Sequence, residues 1–376
     1  MANLKVVIVG AGVVGASCAR SLAREGAEVV VLEQGEAAGV RGATAAGMGH
    51  ITVNGADEAS IQLCILGRRM WREDAPPISE EDGFVEIGTL WMAEDDAALA
   101  DLGLAATRLN EAGVGADLLE GPSLFEVEPA LARDLRGGLR LPEDGAIYAP
   151  TAAASMIGEA VQMGATIRTS VKVLTVERRQ VRLDDGTSIS ADAIVIAAGL
   201  EALELCEETE VSVPILPREG HLAITSRGTC VLNHHVVEAA YQQGALGEVE
   251  DTVACAILPR STGQLCIGSS RRPCRARKVD SELIDRIVAR SERFVPGISG
   301  LPVVRTWSGT RAATGDERPL IGALPGTEGV WIAAGFEGLG ITQAPAAAQL
   351  ITCSILGQES PIDPGPWDPS RQMTTS

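Results

Sequence analysis

The chain has 376 residues, 45% of them hydrophobic and 22% charged, with a net charge of −19. That length exceeds one ordinary core, so two domains are expected, and 42 glycines beside only 3% aromatic residues suit thin, closely packed α/β layers. The acidic balance excludes a phosphate-backbone partner, because nucleic-acid binding needs a basic face that releases counterions.

The first element is a β-branched run, residues 4–9, with the unbroken hydrophobicity of a strand buried on both faces. This apolar start (residues 6–15) is too short to cross a bilayer and too glycine-rich for a signal core. A cytoplasmic location is expected, with peripheral contact at an inner membrane left open. Gly10, Gly12 and Gly15 follow as a GxGxxG, then a predicted helix over residues 14–25 and a second buried strand over 28–32 that ends in Glu33. Each piece has a task. Gly10 permits the tight turn, Gly12 lets a pyrophosphate approach the backbone, and Gly15 lets helix and strand pack closely. The helix start at Val13 and Val14 offers unpaired N–H groups and the positive end of its dipole to phosphate. Glu33 is placed to accept from both hydroxyls of an adenosine ribose, and its charge would repel a 2′-phosphate. This βαβ unit predicts a dinucleotide site but does not separate NAD from FAD.

Residues 41–50 are rich in small side chains, with nothing but Ala, Gly and Thr from Gly42 to Gly47. They read as a flexible loop that can lie flat along an extended cofactor. An amphipathic helix is predicted over 60–73, short strands over 84–92, a helix over 97–112, and turns from there to Asp144. A helix over 151–163 leads to a strand at 166–170 and a meander, 173–178 and 181–183, with a hairpin turn at Asp184-Asp185-Gly186. Residues 191–199 form another buried strand that belongs beside the first. The basic cluster Arg271, Arg272, Arg275, Arg277 and Lys278 reads as a solvated loop before a helix at 280–294, with a local anion or partner contact as the alternative. The 8 cysteines, at 18, 64, 206, 230, 255, 266, 274 and 353, form no CxxC and no short disulfide framework, as in a reducing compartment.

Residues 307–322 precede a strand at 330–334 and a glycine loop, Gly335 to Thr342. A helix follows to about residue 356, with Pro345 placed in its first turn. The tail from Pro361 reads as loose. The fold class is therefore α/β plus α+β. The parallel-sheet domain is discontinuous, over residues 1–82, 145–212 and 306–376, and a domain on an antiparallel sheet is inserted as residues 83–144 and 213–305.

These blocks together, the GxGxxG with Glu33, the Ala/Gly loop to His50, the strand ending at Gly199, and residues 307–342, resemble the D-amino-acid-oxidase-like FAD enzymes. That family includes glycine and sarcosine oxidases. The resemblance implies a glutathione-reductase-like, Rossmann-type FAD-binding domain with an inserted substrate-binding domain. Among its members the chain is most similar to D-hydroxyproline dehydrogenase and to the large subunit of hydrogen cyanide synthase. This similarity rests on residues 47–51, on the segments around His235 to Tyr241 and 258–271, and on residues 336–340, where Phe336 stands in place of an expected histidine. The implied FAD contacts are Gly10, Gly12, Val13, Val14, Gly15, Glu33, Gln34, Arg41, Thr44, Ala45, Ala46, Gly47, Met48, Val171, Ala198, Gly199, Arg311, Gly335, Glu337, Gly338, Leu339, Gly340, Ile341 and Thr342. Gly309 stands where sarcosine oxidases carry the flavin-linked cysteine, so the FAD is expected to be non-covalent.

The same resemblance puts Arg311 on the substrate carboxylate, a task its planar two-pronged guanidinium suits. The alternative is a surface ion pair with Asp316 or Glu317. His50, Tyr241, Glu337 and Met48 are the other candidates around the substrate. A satisfied core histidine, a buried tyrosine with a backbone partner and a solvated carboxylate are the plain alternatives for the first three. His221, His234 and His235 have no metal-ligand spacing, and no metal is expected. The implied reaction is FAD-dependent dehydrogenation of the Cα–N bond of a small amino acid, D-hydroxyproline or D-proline before others. Oxygen or a quinone-linked carrier would reoxidise the flavin. Two alternatives remain: a catalytic subunit that works with small electron-transfer subunits, and a 2-hydroxy-acid dehydrogenase on the same scaffold.

Overall fold

A computed structural model describes residues 4–54, 57–207, 213–243, 251–273 and 278–372. The first βαβ unit forms as patterned: β1 (Lys5–Val9), α1 (Val13–Arg24) and β2 (Glu28–Leu32). A six-stranded sheet runs in the order Leu320–Ala323, Val330–Ala334, Ala193–Ile196, β1, β2, Thr166–Arg168. Its pairings are parallel except the first, where Leu320–Ala323 runs antiparallel to its neighbour. Alternate residues of β1 enter different cores. Val6 and Ile8 pack with α1 and the last helix, while Val7 and Val9 face the small sheet that contains Val176 and Val181. Burial on both faces is why β1 shows no polar alternation.

The last long helix, Gly340–Leu356, packs on α1 through small residues. It begins earlier than expected, so Pro345 lies inside the helix rather than in its first turn. A proline there leaves the carbonyl four residues back without an amide donor. The indole of Trp71 supplies that donor, reaching Ile341 O at 2.7 Å. The tail is not loose either: Trp367 is 1% exposed and joins the core beneath β1.

The second sheet has eight strands, in the order Val303–Thr314, Ile215–Thr225, Leu265–Pro273, Thr252–Pro259, His235–Glu238, Thr89–Ala93, Gly137–Leu141, Asp117–Glu120. It is antiparallel apart from one parallel pair, His235–Glu238 beside Thr89–Ala93. These two strands come from separate stretches of chain, so no hairpin dictates their direction. The two strands after residue 112 replace expected turns. Glycines hide them from pattern reading, since a Cβ at Gly137 would stand 2.6 Å from Leu119 O and one at Gly138 2.6 Å from Trp91 O. Val303–Thr314 crosses the boundary expected between residues 305 and 306 and pairs along its length with Ile215–Thr225.

The basic cluster departs most from expectation. Arg271 and Arg272 lie on the strand Leu265–Pro273, and Arg272 is buried against Glu219 (2.8 Å) and Asp280 (2.9 Å). Arg275, Arg277 and Cys274 fall outside the described residues. Among the other cysteines, Cys18, Cys64, Cys255, Cys266 and Cys353 are buried thiols. No helix among the described residues is long and apolar enough to cross a membrane.

Candidate active site

One cavity of ≈ 830 Å³ reaches from the C-terminal end of β1 to the face of the eight-stranded sheet. At its first end, Gly10 turns the chain with φ +103°, a conformation that disfavours a side chain, and its Cβ would stand 2.6 Å from Ala197 O. Gly15 does not line the cavity. A Cβ there would meet Gly10 O at 2.0 Å, so this glycine keeps α1 tight on the turn. Gly12 lines the cavity beside Thr44, whose Oγ1 would lie 3.0 Å from a Cβ at this position. The same Oγ1 accepts from Val13 N–H at 3.0 Å, so Thr44 occupies one donor at the start of α1.

Glu33 is 7% exposed and lines the cavity. Its Oε2 accepts from Ala11 N–H (2.7 Å) and its Oε1 from Gly35 N–H (2.6 Å). The backbone thus fixes the carboxylate where β1 and β2 end. Val14, Gln34, Arg41, Gly47, Val171, Ala198 and Gly199 line the same end. The stretch expected as a flexible loop instead forms one helical turn, Gly42–Ala46, in which three of the five residues are alanine, the strongest helix former. In that turn Ala46 lines the cavity and Ala45 does not. Gly335, Gly338, Leu339, Gly340 and Ile341 line it from the other side. Thr342 faces away, its Oγ1 accepting from Thr52 N–H at 3.1 Å.

The second end gathers side chains from four elements. Arg311, on Val303–Thr314, donates from Nη1 to Ser270 O at 3.1 Å. Among the described residues it forms no ion pair, and Asp316 pairs with Arg371 at 2.9 Å. The absence of a side chain at Gly220 makes room for the guanidinium, whose nitrogens would lie 2.7 Å from a Cβ there. Glu337, at φ +49°, pairs through Oε2 with Arg271 Nη2 at 3.0 Å, while its buried Oε1 has no hydrogen-bond partner. Tyr241 sits beneath Arg271, 5.9 Å from guanidinium carbon to ring centre, and against Trp91. Met48 is buried and reaches Gly268, and Phe336 is a further apolar wall.

His50 stacks on His235 with ring centres 5.3 Å apart and planes at 20°. Burial first, then Arg311, pushes His50 down to about 4, against a Gly338 backbone hydrogen bond and Glu337, which raise it. Burial, then His50, holds His235 well below the usual histidine range. Both rings are therefore neutral at ordinary pH. His235 and Arg271 also line the cavity, although the sequence marks them only as part of a similar segment and of a basic run. Strand alternation is the signal that finds Arg271: Ser269 and Arg271 line the cavity, while Ser270 and Arg272 bond to His221 and Glu219 behind it.

The glycine turn, the start of α1, the backbone-fixed Glu33 and the continuous cavity fit a flavin dinucleotide. The parallel sheet, this corner and the second sheet together define a Rossmann-type, FAD-dependent oxidoreductase. Residues 5–353 match the DAO family, described as FAD dependent oxidoreductase, and the chain belongs to it. It is 27% identical to the glycine oxidase of Geobacillus kaustophilus, covering 98% of this chain and 97% of that protein. A crystal structure of glycine oxidase from the same organism superposes with TM-score 0.86 at 26% identity, covering 99% of this chain and 100% of the other. The chain is also 25% identical to one of the subunits of the opine oxidase of Rhizobium meliloti, over 85% of each.

Proposed function

We propose that the protein dehydrogenates the Cα–N bond of a small amino acid to an imine. Arg311 carries this reading: it is a cavity-lining guanidinium without a carboxylate partner among the described residues, beside the open Oε1 of Glu337. The guanidinium holds the substrate carboxylate through charge-assisted bonds, with Ser270 O steadying one arm. Glu337 Oε1 accepts an N–H of the substrate nitrogen, while Arg271 keeps the Glu337 carboxylate in place. Met48, Trp91 and Phe336 exclude water from the Cα–H. FAD, when bound, supplies the acceptor for the Cα hydride. The substrate nitrogen enters this step unprotonated, and its lone pair assists departure of the hydride, so no side chain has to remove a carbon-bound proton.

D-hydroxyproline or D-proline is the leading substrate, on the sequence resemblance. The flavin is read as non-covalent, since no cysteine among the described residues lines the cavity and Gly309 contributes no side chain. The cofactor domain is read as the six-stranded sheet with its helices, and the substrate domain as the eight-stranded sheet. The likeness to an opine oxidase subunit favours a second reading, in which the chain is the catalytic component of an assembly with small electron-transfer partners. Anaerobic bleaching of the bound flavin by a panel of D- and L-amino acids tests the main reading. Bleaching by 2-hydroxy acids alone would replace it with a hydroxy-acid dehydrogenase.

A further inference from the structure

We propose that His50 and His235 together recognise a hydroxyl, or an equivalent neutral group that both donates and accepts, on the side chain or ring of the substrate. This inference rests on the amino-acid reading above. His235 is 3% exposed, lines the cavity, and has no hydrogen-bond partner at Nδ1 or Nε2. His50 Nδ1 is likewise buried without a partner. The two rings come from separate strands, His50–Ile51 and His235–Glu238, and meet only through their stack.

Buried polar atoms are nearly always hydrogen-bonded, so three unmatched ring nitrogens at one cavity wall call for a ligand group. A metal is a poor occupant, since no cluster of three His, Cys, Asp or Glu suited to an ion exists among the described residues. The substrate ammonium is a poor one too. Arg311 and Glu337 are the charged groups that act on His50, and the open Glu337 oxygen is the stronger partner for a cation. A base titrating near 4 is also too weak to take a proton from an ammonium. What matches a neutral His235 ring, which keeps one donor and one acceptor, beside the open Nδ1 of His50 is a group with the same duality. A hydroxyl has it. A site built this way rejects the analogue lacking the hydroxyl, because its own polar atoms then stay unmatched.

The test uses the FAD-loaded protein and ligands that need not react. Flavin absorbance is titrated with butyrate and with each enantiomer of 3-hydroxybutyrate. One enantiomer is expected to bind at least about tenfold tighter than butyrate, the worth of a well-made buried hydrogen bond. In His235→Phe, which keeps the stack and removes both nitrogens, the ratio falls to about one while butyrate binding is retained. A native ratio near one overturns the proposal without any variant. So does a native preference that survives in both His235→Phe and His50→Phe. If the Phe variants lose FAD, His235→Asn, which keeps a donor and an acceptor, must preserve part of the preference or the proposal fails. Failure of the amino-acid reading shows separately, as a flavin that no amino acid bleaches.

Discussion

Replacing Arg311 by alanine removes the cation that the proposed reaction uses to hold its substrate. Truncating one partner of a desolvated charge pair costs about 2–5 kcal/mol. Two observations place the cost toward the lower end. The side chain is only partly buried, and its Nη1 is already shared with Ser270 O. A loss of about 2–3 kcal/mol corresponds to roughly 30- to 150-fold in kcat/KM. Arg311→Lys should recover only part of this, because an ammonium cannot reproduce the two-pronged grip and loses the Ser270 anchor. The assay is initial-rate kinetics on the best amino acid beside the corresponding amine lacking the carboxylate, with flavin content measured in each variant. The amine should barely distinguish native from variant enzyme. If Arg311→Ala keeps kcat/KM within about threefold on the amino acid, a change too small for a lost charge partner, the carboxylate is held elsewhere. Arg271 would then be the next residue to test.

Glu33→Ala should weaken FAD binding to the apoprotein by about 1.5–3 kcal/mol in a fluorescence titration, with turnover at saturating FAD little changed. Unaltered affinity with collapsed turnover would contradict the assignment. Gly309→Ala puts a Cβ 2.4 Å from the Cβ of Ala46, so the Gly42–Ala46 turn must move and FAD retention on gel filtration should drop. Trp71→Phe leaves Ile341 O without a donor beside Pro345 and should cost about 1–3 kcal/mol in denaturant unfolding, whereas full native stability would show that the indole bond adds nothing. An unfolded histidine gains its proton near 6.5, and folded His50 resists protonation until about 4. Stability should therefore fall as pH drops through that window, and fall less steeply in His50→Gln. Parallel melting curves for the two proteins across it would refute the burial of a neutral ring.

The cofactor end was legible because each of its glycines has a backbone reason to be glycine. Gly10 takes a left-handed turn, Gly12 faces the cavity and Gly15 has no room for a Cβ. Buried parallel strands likewise announce themselves as apolar runs, and β2 and Val330–Ala334 lie where the pattern puts them. The second sheet was less legible. Its strands carry charges that are satisfied only by partners distant in sequence, so Arg271 and Arg272 look like a solvated run until Glu337 and Glu219 are brought to them. Gly137 and Gly138 read as a turn because the atoms that exclude their side chains belong to neighbouring strands. The His50–His235 contact joins residues from different sheets, and no local spacing encodes it.

The cavity draws its walls from the beginning, middle and end of the chain: residues 9–60, 91–256 and 269–341 all contribute. The glycine loop that closes it leads directly into the helix that packs on α1. During synthesis, therefore, the dinucleotide corner emerges before its far wall, which is complete only once residues 335–341 have been added. Flavin binding then depends on the chain being made and threaded through the helix Gly340–Leu356, and the binding energy stabilises that assembled form over any partly assembled one. Flavin supply during expression should accordingly govern how much protein survives to be purified, a dependence set by the order in which the walls are made.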